Sequence, residues 1–278
     1  MTGNDTLELQ RAAMKLRLQI VEMIYGAGSG HSGGSLSCAE ILTVLYNRVM
    51  NIRPGDPFFA DRDRFILSKG HAAPALYAVL SARGFFPREE LSTLRRLESR
   101  LQGHPCMFKL PGIEMSTGSL GMGISVGVGM ALAMRKAGRD SRVYVLCGDG
   151  ELEEGQNWEA LMAATKWNLS NLMVIVDRNE VQLDGPVREI MPIGYVEAKM
   201  RAFGLQTFSC DGHSCRELAE VFDAAGERDA ATAVIAHTVK GKGVSFMEGE
   251  SAWHGKPIGP EEYETAINEL REQLDAIR

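Results

Sequence analysis

The sequence predicts an α/β fold, with a mostly parallel sheet covered by helices on both faces. Four short runs are continuously apolar, as expected of strands that are buried on both sides: residues 65–68, 142–148, 171–177 and 233–238. Segments with helical spacing of apolar residues separate these runs. Because the 278 residues contain no internal repeat and no obvious linker, we expect a single domain over residues 1–278.

The first element is an amphipathic helix, predicted over residues 5–25. Asp5 and Glu8 occupy capping-box positions, and Gly26 is a plausible stop. The next segment, "GAGSGHSGGSLS" at residues 26–37, is rich in glycine and serine around His31, and a further helix follows near Cys38. We expect a loop there that is too flexible to serve only as scaffold. The last element is a helix over residues 261–278.

Composition excludes several classes of protein. The net charge is −6 and the basic residues are scattered, which disfavours nucleic acid or an anionic membrane as the partner. The five cysteines form no CxxC pair, so neither a disulfide framework nor a zinc site is indicated. The N-terminus lacks an apolar signal core, and the most apolar window, residues 121–134, is shorter than the roughly 20 residues that span a bilayer. We therefore expect a cytoplasmic location.

The stretch "RVYVLCGDGELEEGQNWEA" places Asp149 between two glycines at the end of a predicted strand. The chain from Gly150 to Asn179 is long enough for a helix over residues 153–167 and a return strand over 171–176. A right-handed β-α-β crossover puts the carboxyl ends of both strands on the same edge of the sheet, where ligands of open α/β sheets bind. We therefore expect Asp149 and the turn at residues 177–181 to be neighbours.

These residue types predict a metal-diphosphate site. The carboxylate of Asp149, the side-chain oxygen of Asn179 and a nearby backbone carbonyl form a hard, all-oxygen donor set that suits Mg²⁺. Phosphate oxygens and water usually take the remaining positions around this ion. The helix that follows Glu153 can point its N-terminal N–H groups at the phosphates.

Five stretches together resemble a known family. "GDGELEEGQNWEA" followed by "VDRNEVQLDG" resembles the thiamine diphosphate motif in the form found in transketolases. "SGHSGGSLS", "DRFILSKGHAAPALYAVL", "LQGHP" with "STGSLGMGISVGVGMA", and "HTVKGKGVSFMEGESAWHG" also match the family's motifs. The stretches run in family order from residue 30 to 255, so the resemblance covers nearly the whole chain. It implies the thiamine-diphosphate-binding fold.

The resemblance assigns the metal site. In transketolases the metal is held by the Asp of GDG, the Asn and a main-chain oxygen two residues later, which match Asp149, Asn179 and Val181. The implied metal is Mg²⁺, for which Ca²⁺ or Mn²⁺ can substitute. Gly150 and Asn179 would contact the diphosphate of the cofactor.

Four of the six histidines fall in these motifs: His31, His71, His104 and His254. The resemblance places His71 and His254 near the diphosphate and the substrate, and matches His31 and His104 to histidines of the substrate channel. His31, His104 and His254 are thereby implied as catalytic residues that orient ketose hydroxyls and move protons. Histidine suits this role because its pKa lies near neutrality. His213 and His237 lie outside the motifs and are expected to be structural.

Three further assignments come from the resemblance. "TGSLG" matches the loop whose backbone faces the aminopyrimidine, which implicates Gly118 and Leu120, although many full-length transketolases have Pro where this chain has Ser119. Glu154 matches a glutamate at the subunit interface that is linked to the partner's cofactor site; the alternative is an acidic residue favoured by the helix dipole. Lys240 would supply positive charge near the diphosphate or substrate.

The implied function is transfer of a two-carbon ketol unit from a ketose phosphate to an aldose phosphate. In the family, the glutamate that activates the cofactor lies on a pyrimidine-binding domain, and no such domain follows the matched motifs in this sequence. We therefore expect the N-terminal subunit of a split transketolase. The pyrimidine-binding and C-terminal domains are expected on a partner chain, in an α₂β₂ heterotetramer.

Two alternatives from other classes remain open at this point. The α subunit of a 2-oxoacid dehydrogenase shares a GDG-to-Asn motif and a two-chain architecture, although the histidine motifs favour sugar chemistry. A non-catalytic structural or regulatory chain is the other alternative. A nicotinamide-binding Rossmann domain is disfavoured because the GxGxxG fingerprint does not follow the first predicted strand.

Overall fold

The computed structural model describes residues 2–227 and 229–277. Its centre is a five-stranded sheet in the order β1-β2-β3-β5-β4, and every neighbouring pair is parallel. The strands are β1 (Arg64–Leu67), β2 (Val143–Gly148), β3 (Leu172–Arg178), β4 (Gln206–Asp211) and β5 (Thr232–His237). The predicted parallel sheet is confirmed.

Helices cover both faces of the sheet. The α-helices are α1 (Gly3–Ala27), α2 (Ser32–Ser37), α3 (Ala39–Val44), α4 (Ala73–Ala82), α5 (Gly123–Lys136), α6 (Gly155–Lys166), α7 (Val187–Ile190), α8 (Val196–Ala202), α9 (Cys215–Gly226) and α10 (Pro260–Ala276). Short 3₁₀ turns are found at Gly70–Ala72, Arg88–Thr93, Gly150–Glu153 and Ser251–His254, and a π turn at Leu45–Val49. One apolar layer contains α1, α3, α4, α9 and α10, and the other contains α5, α6 and α8.

The sequence of strand β2 is continuously apolar because both of its faces are buried. Successive side chains point to opposite faces of a sheet. Val143 and Val145 pack in the layer with α5 and α6, whereas Tyr144 and Leu146 pack in the layer with α1 and α4. All four are at most 1% exposed, so neither face of the strand tolerates a polar residue.

Helix α1 begins and ends differently from the prediction. Its capping box uses Thr2 and Asp5, not Asp5 and Glu8: the Thr2 hydroxyl accepts from the Asp5 N–H, and the Asp5 carboxylate accepts from the Thr2 N–H. The helix continues through Gly26 and stops at Ala27, because Gly28 takes the left-handed conformation at φ 61°. Glycine adopts this conformation without the penalty that a Cβ imposes.

The glycine- and serine-rich segment is not a flexible loop. Its residues 32–37 form α2, and every residue of α2 is buried. A Cβ at Gly33 would lie 3.0 Å from both the Cγ of Lys240 and the backbone oxygen of Trp253. The glycines therefore allow a short helix to pack closely against the chain that follows β5. The prediction of a loop was wrong for residues 32–37, whereas residues 28–31 lie between α1 and α2 outside any helix.

Strand β4 was missed by the sequence analysis. It lies at one edge of the sheet, pairs only with β5 among the described residues, and leaves most of its residues partly or fully exposed. Its sequence, "QTFSCD", therefore has no continuous apolar run. The predicted C-terminal helix is found as α10, and Arg278, where the prediction ended it, lies outside the described residues.

The apolar window at residues 121–134 lies mostly in helix α5, which packs against the sheet. A Cβ at Gly127 would lie 2.5 Å from a methyl group of Val145, and one at Gly123 would lie 2.1 Å from the hydroxyl of Ser68. These glycines let the helix approach the strands more closely than other residues could. None of the helices in residues 2–227 and 229–277 has both the length and the hydropathy to cross a membrane.

The strand order reverses between β3 and β5. The chain leaves β3 toward the layer that contains α8, but leaves β5 toward the layer that contains α10. A crevice opens at such a point outside the carboxyl ends of parallel strands, and ligands of α/β proteins bind there. Most of the predicted site residues lie at or beside this crevice.

Candidate active site

The turn after β2 is hydrogen-bonded to the turn after β3. Asp149 is 3% exposed; its Oδ1 accepts a hydrogen bond from the N–H of Gly150 at 3.0 Å, and its Oδ2 accepts one from the N–H of Glu180 at 2.6 Å. A Cβ at Gly150 would come 3.0 Å from the Cβ of Gln182, so glycine is needed for this contact. The expected proximity of Asp149 to the turn after β3 is therefore found.

Asn179 and Val181 lie beside Asp149. The side-chain oxygen of Asn179 accepts from the N–H of Val181 at 3.2 Å, and the backbone oxygen of Val181 accepts from the ammonium of Lys240 at 3.0 Å. Asp149, Asn179 and Val181 line one cavity of about 380 Å³. The structure thus brings together the three residues predicted to hold the metal.

The donor set fits a hard divalent cation. Within residues 2–227 and 229–277 no cationic side chain forms an ion pair with Asp149. Burial, reinforced by the neighbouring carboxylate of Asp177, raises the pKa of Asp149 to about 6. A buried carboxylate without a direct ion pair favours a cation, and carboxylate, amide and carbonyl oxygens suit Mg²⁺. No cluster of three or more His, Cys, Asp or Glu side chains of the kind that holds other metals is found in the described residues.

Asp177 is a central residue of the site that the sequence analysis missed. Its carboxylate is fully buried at the end of β3 and accepts hydrogen bonds from Ser37 at 2.5 Å, from Asn179 at 3.3 Å, and from Lys69 and Thr238. Burial alone would raise the pKa of Asp177, but the Lys69 ammonium and these hydrogen bonds outweigh it and lower the pKa. Asp177 therefore joins the ends of β1, β3 and β5 and orients the Asn179 amide.

The sequence motifs did contain a signal that Lys69 and Asp177 form an ion pair. Lys69 is the lysine of "SKGHA", and Asp177 is an acidic residue in an otherwise apolar strand run, two positions before Asn179. Buried charges are normally paired, so a lysine and an aspartate inside two buried motifs could have been matched to each other. Their separation of 108 positions hides the pairing from local sequence patterns.

The four motif histidines converge on one side of this network. The ring centroid of His31 lies 5.4 Å from that of His71, 5.2 Å from that of His254 and 6.3 Å from that of His104. The rings of His71 and His254 lie 4.9 Å apart. Since His31 comes from the chain before α2 and the others from loops far along the sequence, only the fold brings them together.

Their surroundings keep these rings uncharged at neutral pH. Burial, with help from Arg95 and neighbouring rings, lowers the pKa of His31 to about 4, and burial together with Lys240 lowers that of His254 to about 3. Burial also lowers the pKa values of His71 and His104. A neutral imidazole can donate a hydrogen bond through one nitrogen and accept one through the other. The cluster can therefore bind a hydroxyl group either as donor or as acceptor.

Lys240 connects the histidines to the predicted metal site. It is 2% exposed, and its ammonium donates to the backbone oxygens of Val181 and Gln182 at 3.0 and 3.2 Å and lies 3.0 Å from Nδ1 of His254. Burial and the charge of Lys69 lower the pKa of Lys240 to about 8. At neutral pH it therefore remains mainly a cation, and its three polar contacts join the turn after β3 to His254.

The "TGSLG" loop packs against the histidines. Gly118 has φ 136°, and a Cβ there would lie 3.0 Å from the ring of His104. Leu120 is 37% exposed at the surface of the loop. The buried carboxylate of Glu151, which the sequence analysis also missed, accepts from the N–H of Gly121 at 3.0 Å and from the hydroxyl of Ser68. Glu151 thereby ties this loop to the ends of β1 and β2.

Glu154 stands apart from the other predicted residues. It is exposed at the N-terminus of α6, and its side chain makes no capping hydrogen bond. A Cβ at Gly121 would lie 2.7 Å from that of Glu154, so this residue flanks the "TGSLG" loop. Its position at the surface leaves the carboxylate available to another chain.

Comparisons with known proteins agree with this geometry. The family model described as "Transketolase, thiamine diphosphate binding domain" matches residues 9–275. The chain is 42% identical over 274 residues to one of the subunits of the apulose-4-phosphate transketolase of Phocaeicola vulgatus, covering 98% of this chain and 96% of that protein. It is 43% identical over 272 residues to 6-deoxy-6-sulfo-D-fructose transketolase subunit SqwG of a Clostridium species, covering 98% and 99%.

Solved structures show the same fold. The transketolase of Campylobacter jejuni superposes with a TM-score of 0.90 at 34% sequence identity, covering 96% of this chain. The match covers 42% of that transketolase, so the chain spans less than half of it. By contrast, the chain spans nearly the full length of the two subunits. The chain therefore belongs to the transketolase family and contains its thiamine diphosphate binding domain.

Proposed function

We propose that this chain is the diphosphate-binding subunit of a two-chain transketolase, which transfers a two-carbon ketol unit from a ketose phosphate to an aldose phosphate. The convergence of four neutral histidines beside the Asp149–Asn179 site is the observation that carries this proposal. Sugar substrates present several hydroxyl groups, and each needs a donor or an acceptor. The match to two proteins named as transketolase subunits, over nearly their full length, also supports it.

The residues divide into three binding roles under this proposal. Asp149, Asn179 and the backbone oxygen of Val181 hold Mg²⁺, with Ca²⁺ or Mn²⁺ as substitutes. The groups assigned to the diphosphate are Gly150, Asn179, His71 and Lys240. Gly118 and Leu120 face the pyrimidine through their backbone. When bound, thiamine diphosphate supplies the carbon nucleophile that cleavage of a carbon–carbon bond next to a carbonyl requires.

The histidines position the sugar and handle protons. Because the charged Lys240 donates to Nδ1 of His254, Nε2 of that ring carries the proton and can donate it to a substrate oxygen. His31 and His104 are close enough to share the hydroxyl groups of one sugar with His254. The lowered pKa of His31 keeps its ring uncharged at neutral pH, so that one of its nitrogens can accept a hydrogen bond from a substrate hydroxyl.

A second chain completes the site in this proposal. Residues 1–278 act as one domain, and a partner chain supplies the pyrimidine-binding and C-terminal domains in an α₂β₂ assembly. The exposed Glu154 beside the "TGSLG" loop is the residue proposed to meet a partner carboxylate. Neither a 2-oxoacid dehydrogenase subunit nor a non-catalytic chain explains why four histidines, one carboxylate and one amide converge on one crevice.

The test is to purify the chain with and without a transketolase pyrimidine-domain subunit. Calorimetry would measure thiamine diphosphate binding with Mg²⁺ and after its removal by EDTA, and a panel of ketose and aldose phosphates would be assayed for ketol transfer. We expect metal-dependent binding and transfer only in the assembled enzyme. Release of CO₂ from 2-oxoacids without ketol transfer would overturn the proposal, as would the absence of cofactor binding in both samples.

A further inference from the structure

A buried chain of hydrogen bonds runs from α1 to the segment that carries Lys240. The guanidinium of Arg17 forms an ion pair with both carboxylate oxygens of Glu40. Oε2 of Glu40 lies 3.0 Å from Nδ1 of His213, and Nε2 of His213 lies 2.8 Å from the backbone nitrogen of Val239. His213, which the sequence analysis left without a function, is thus connected to the residue before Lys240.

The geometry fixes the protonation of His213. Its Nε2 faces a backbone N–H and must accept, so its Nδ1 carries the proton and donates to Glu40. Burial alone would raise the pKa of Glu40, but Arg17 and the bond from His213 bring it down to about 2, which keeps the acceptor ionised. The side chains of Arg17, Glu40 and His213 are 2%, 9% and 14% exposed, so water does not compete freely for these bonds.

His213 binds the backbone in the middle of residues 238–241, a short segment whose two ends are also held by hydrogen bonds. The N–H of Thr238 donates to the backbone oxygen of Arg178 at 3.0 Å, and that of Gly241 donates to Gly33 at 3.0 Å. Between them, the N–H of Val239 donates to His213. Without His213 this N–H would lose its acceptor, which costs more than a solvent-exposed bond would.

We propose that His213 is a positioning residue for the cofactor site, which holds the Val239 N–H so that the next residue, Lys240, faces the diphosphate and the Val181 carbonyl. The inference rests on the proposed function. It extends the site through buried hydrogen bonds to Glu40 and Arg17, neither of which lines the cavity. His213 touches neither metal nor diphosphate and acts only through the backbone.

Two substitutions separate the two bonds of His213. In His213→Asn the amide nitrogen takes the place of Nδ1 and keeps the bond to Glu40, but the side chain is too short to reach Val239. In His213→Gln the longer side chain can place its oxygen near the position of Nε2 and accept from Val239. His237→Asn is the matched control, because this exposed ring at the end of β5 contacts Ser209 and Glu197 outside the site.

The first measurement needs no ligand. Nuclear magnetic resonance of the full chain would record amide hydrogen exchange at Val239, Gly241 and Lys242, together with the ring ¹⁵N shifts of His213. We expect a proton on Nδ1 only, about tenfold faster exchange at Val239 in His213→Asn, and nearly unchanged exchange in His213→Gln and His237→Asn. A proton on Nε2, or equal exchange in the Asn and Gln variants, would overturn the inference whatever the function of the chain.

The second measurement is the affinity of the assembled enzyme for thiamine diphosphate with Mg²⁺. We expect about tenfold weaker binding in His213→Asn and a change within about threefold in His213→Gln, although both variants alter the same buried residue. A purely structural role predicts affinities that follow the unfolding midpoints of the two variants, and that result would contradict positioning. Failure of the wild-type enzyme to bind would instead refute the proposed function and leave the exchange experiment to decide on His213.

Discussion

The two ends of the sheet differ in how their charges are compensated. At the amino end a cavity of about 910 Å³ is lined by three arginines and five carboxylates, and four of these side chains form two ion pairs: Arg139 with Asp61 at 2.6 Å, and Arg48 with Asp223. At the carboxyl end the cavity is smaller, about 380 Å³, and Asp149 forms no direct ion pair within the described residues, although the charge of Lys69 acts on it from farther away. The charges at the amino end are thus partly paired at the surface, whereas Asp149 is a buried carboxylate outside any ion pair of the described residues.

The carboxyl end of the sheet contains one buried carboxylate in an ion pair and one outside any ion pair of the described residues. Asp177 forms a direct ion pair with Lys69, but Asp149, at the end of the neighbouring strand, forms none within the described residues. A carboxylate with a lowered pKa thus lies beside one with a raised pKa. Such divergence between neighbouring titratable groups is typical of functional sites. Incomplete compensation, more than cavity size, distinguishes the proposed site.

The largest effect on stability is expected when the buried ion pair between Lys69 and Asp177 is broken. Asp177→Asn leaves the ammonium of Lys69 buried without a counter-charge, which typically costs about 3–5 kcal/mol of unfolding free energy. Urea denaturation of the full chain would measure the loss. The double variant Lys69→Met with Asp177→Asn is the control, and it should recover part of the stability because neither charge of the pair remains. A loss below about 1 kcal/mol in the single variant would show that Asp177 is not compensated as described.

Removing the uncompensated carboxylate should affect binding more than stability. Asp149→Asn keeps one acceptor for the turn but removes the negative charge, and we expect Mg²⁺-dependent binding of thiamine diphosphate to weaken at least about a hundredfold. Calorimetry of the assembled enzyme would measure this. Asp61→Asn, at the amino end, makes the same chemical change in a residue that is already paired. Unaltered cofactor affinity in Asp149→Asn would place the metal elsewhere.

A smaller effect is expected on the pH dependence of stability. In the folded chain, burial lowers the pKa of His31 to about 4 and that of His254 to about 3, from the ordinary value of 6.5. Below pH 6.5 the unfolded chain therefore binds protons that the folded chain does not, and stability falls as the pH decreases toward 4. Each ring contributes at most about 1.4 kcal/mol per pH unit, and less where solvent reaches it.

Thermal unfolding between pH 7 and pH 4.5 would test this sign. The double variant His31→Gln and His254→Gln should show a shallower decline than the wild type. The comparison is needed because the raised pKa of Asp149 acts in the opposite direction below about pH 6. Equal slopes in the two proteins would mean that the histidines titrate normally in the folded chain.

The smallest effect is expected at the amino end. Arg139→Ala removes an ion pair in which Arg139 is 34% and Asp61 72% exposed, so the unfolding free energy should change by less than about 1 kcal/mol. Cofactor affinity should not change. A clear loss of affinity would show that the larger cavity takes part in binding and would remove the contrast between the two ends.

The sequence by itself determined most of the sheet and the positions of the predicted site residues at the ends of its strands. Continuously apolar runs predict buried parallel strands because both faces must be covered, and strand β4 was missed because an edge strand need not be apolar. Asp149 and Asn179 could be placed together because each follows a strand, and parallel strands end at the same edge. These patterns are local and need no knowledge of which surfaces meet.

Only the tertiary structure decided which charges are neutralised and which segments are rigid. Lys69 and Asp177 are 108 positions apart, and His213 and Glu40 are 173 apart, so their pairing depends on the packing of helices against strands. The segment "SGGSLS" is flexible by composition but becomes a buried helix because glycine fits close beside Lys240 and Trp253. Burial and pairing are properties of packed surfaces, and the chain acquires them only when distant elements meet.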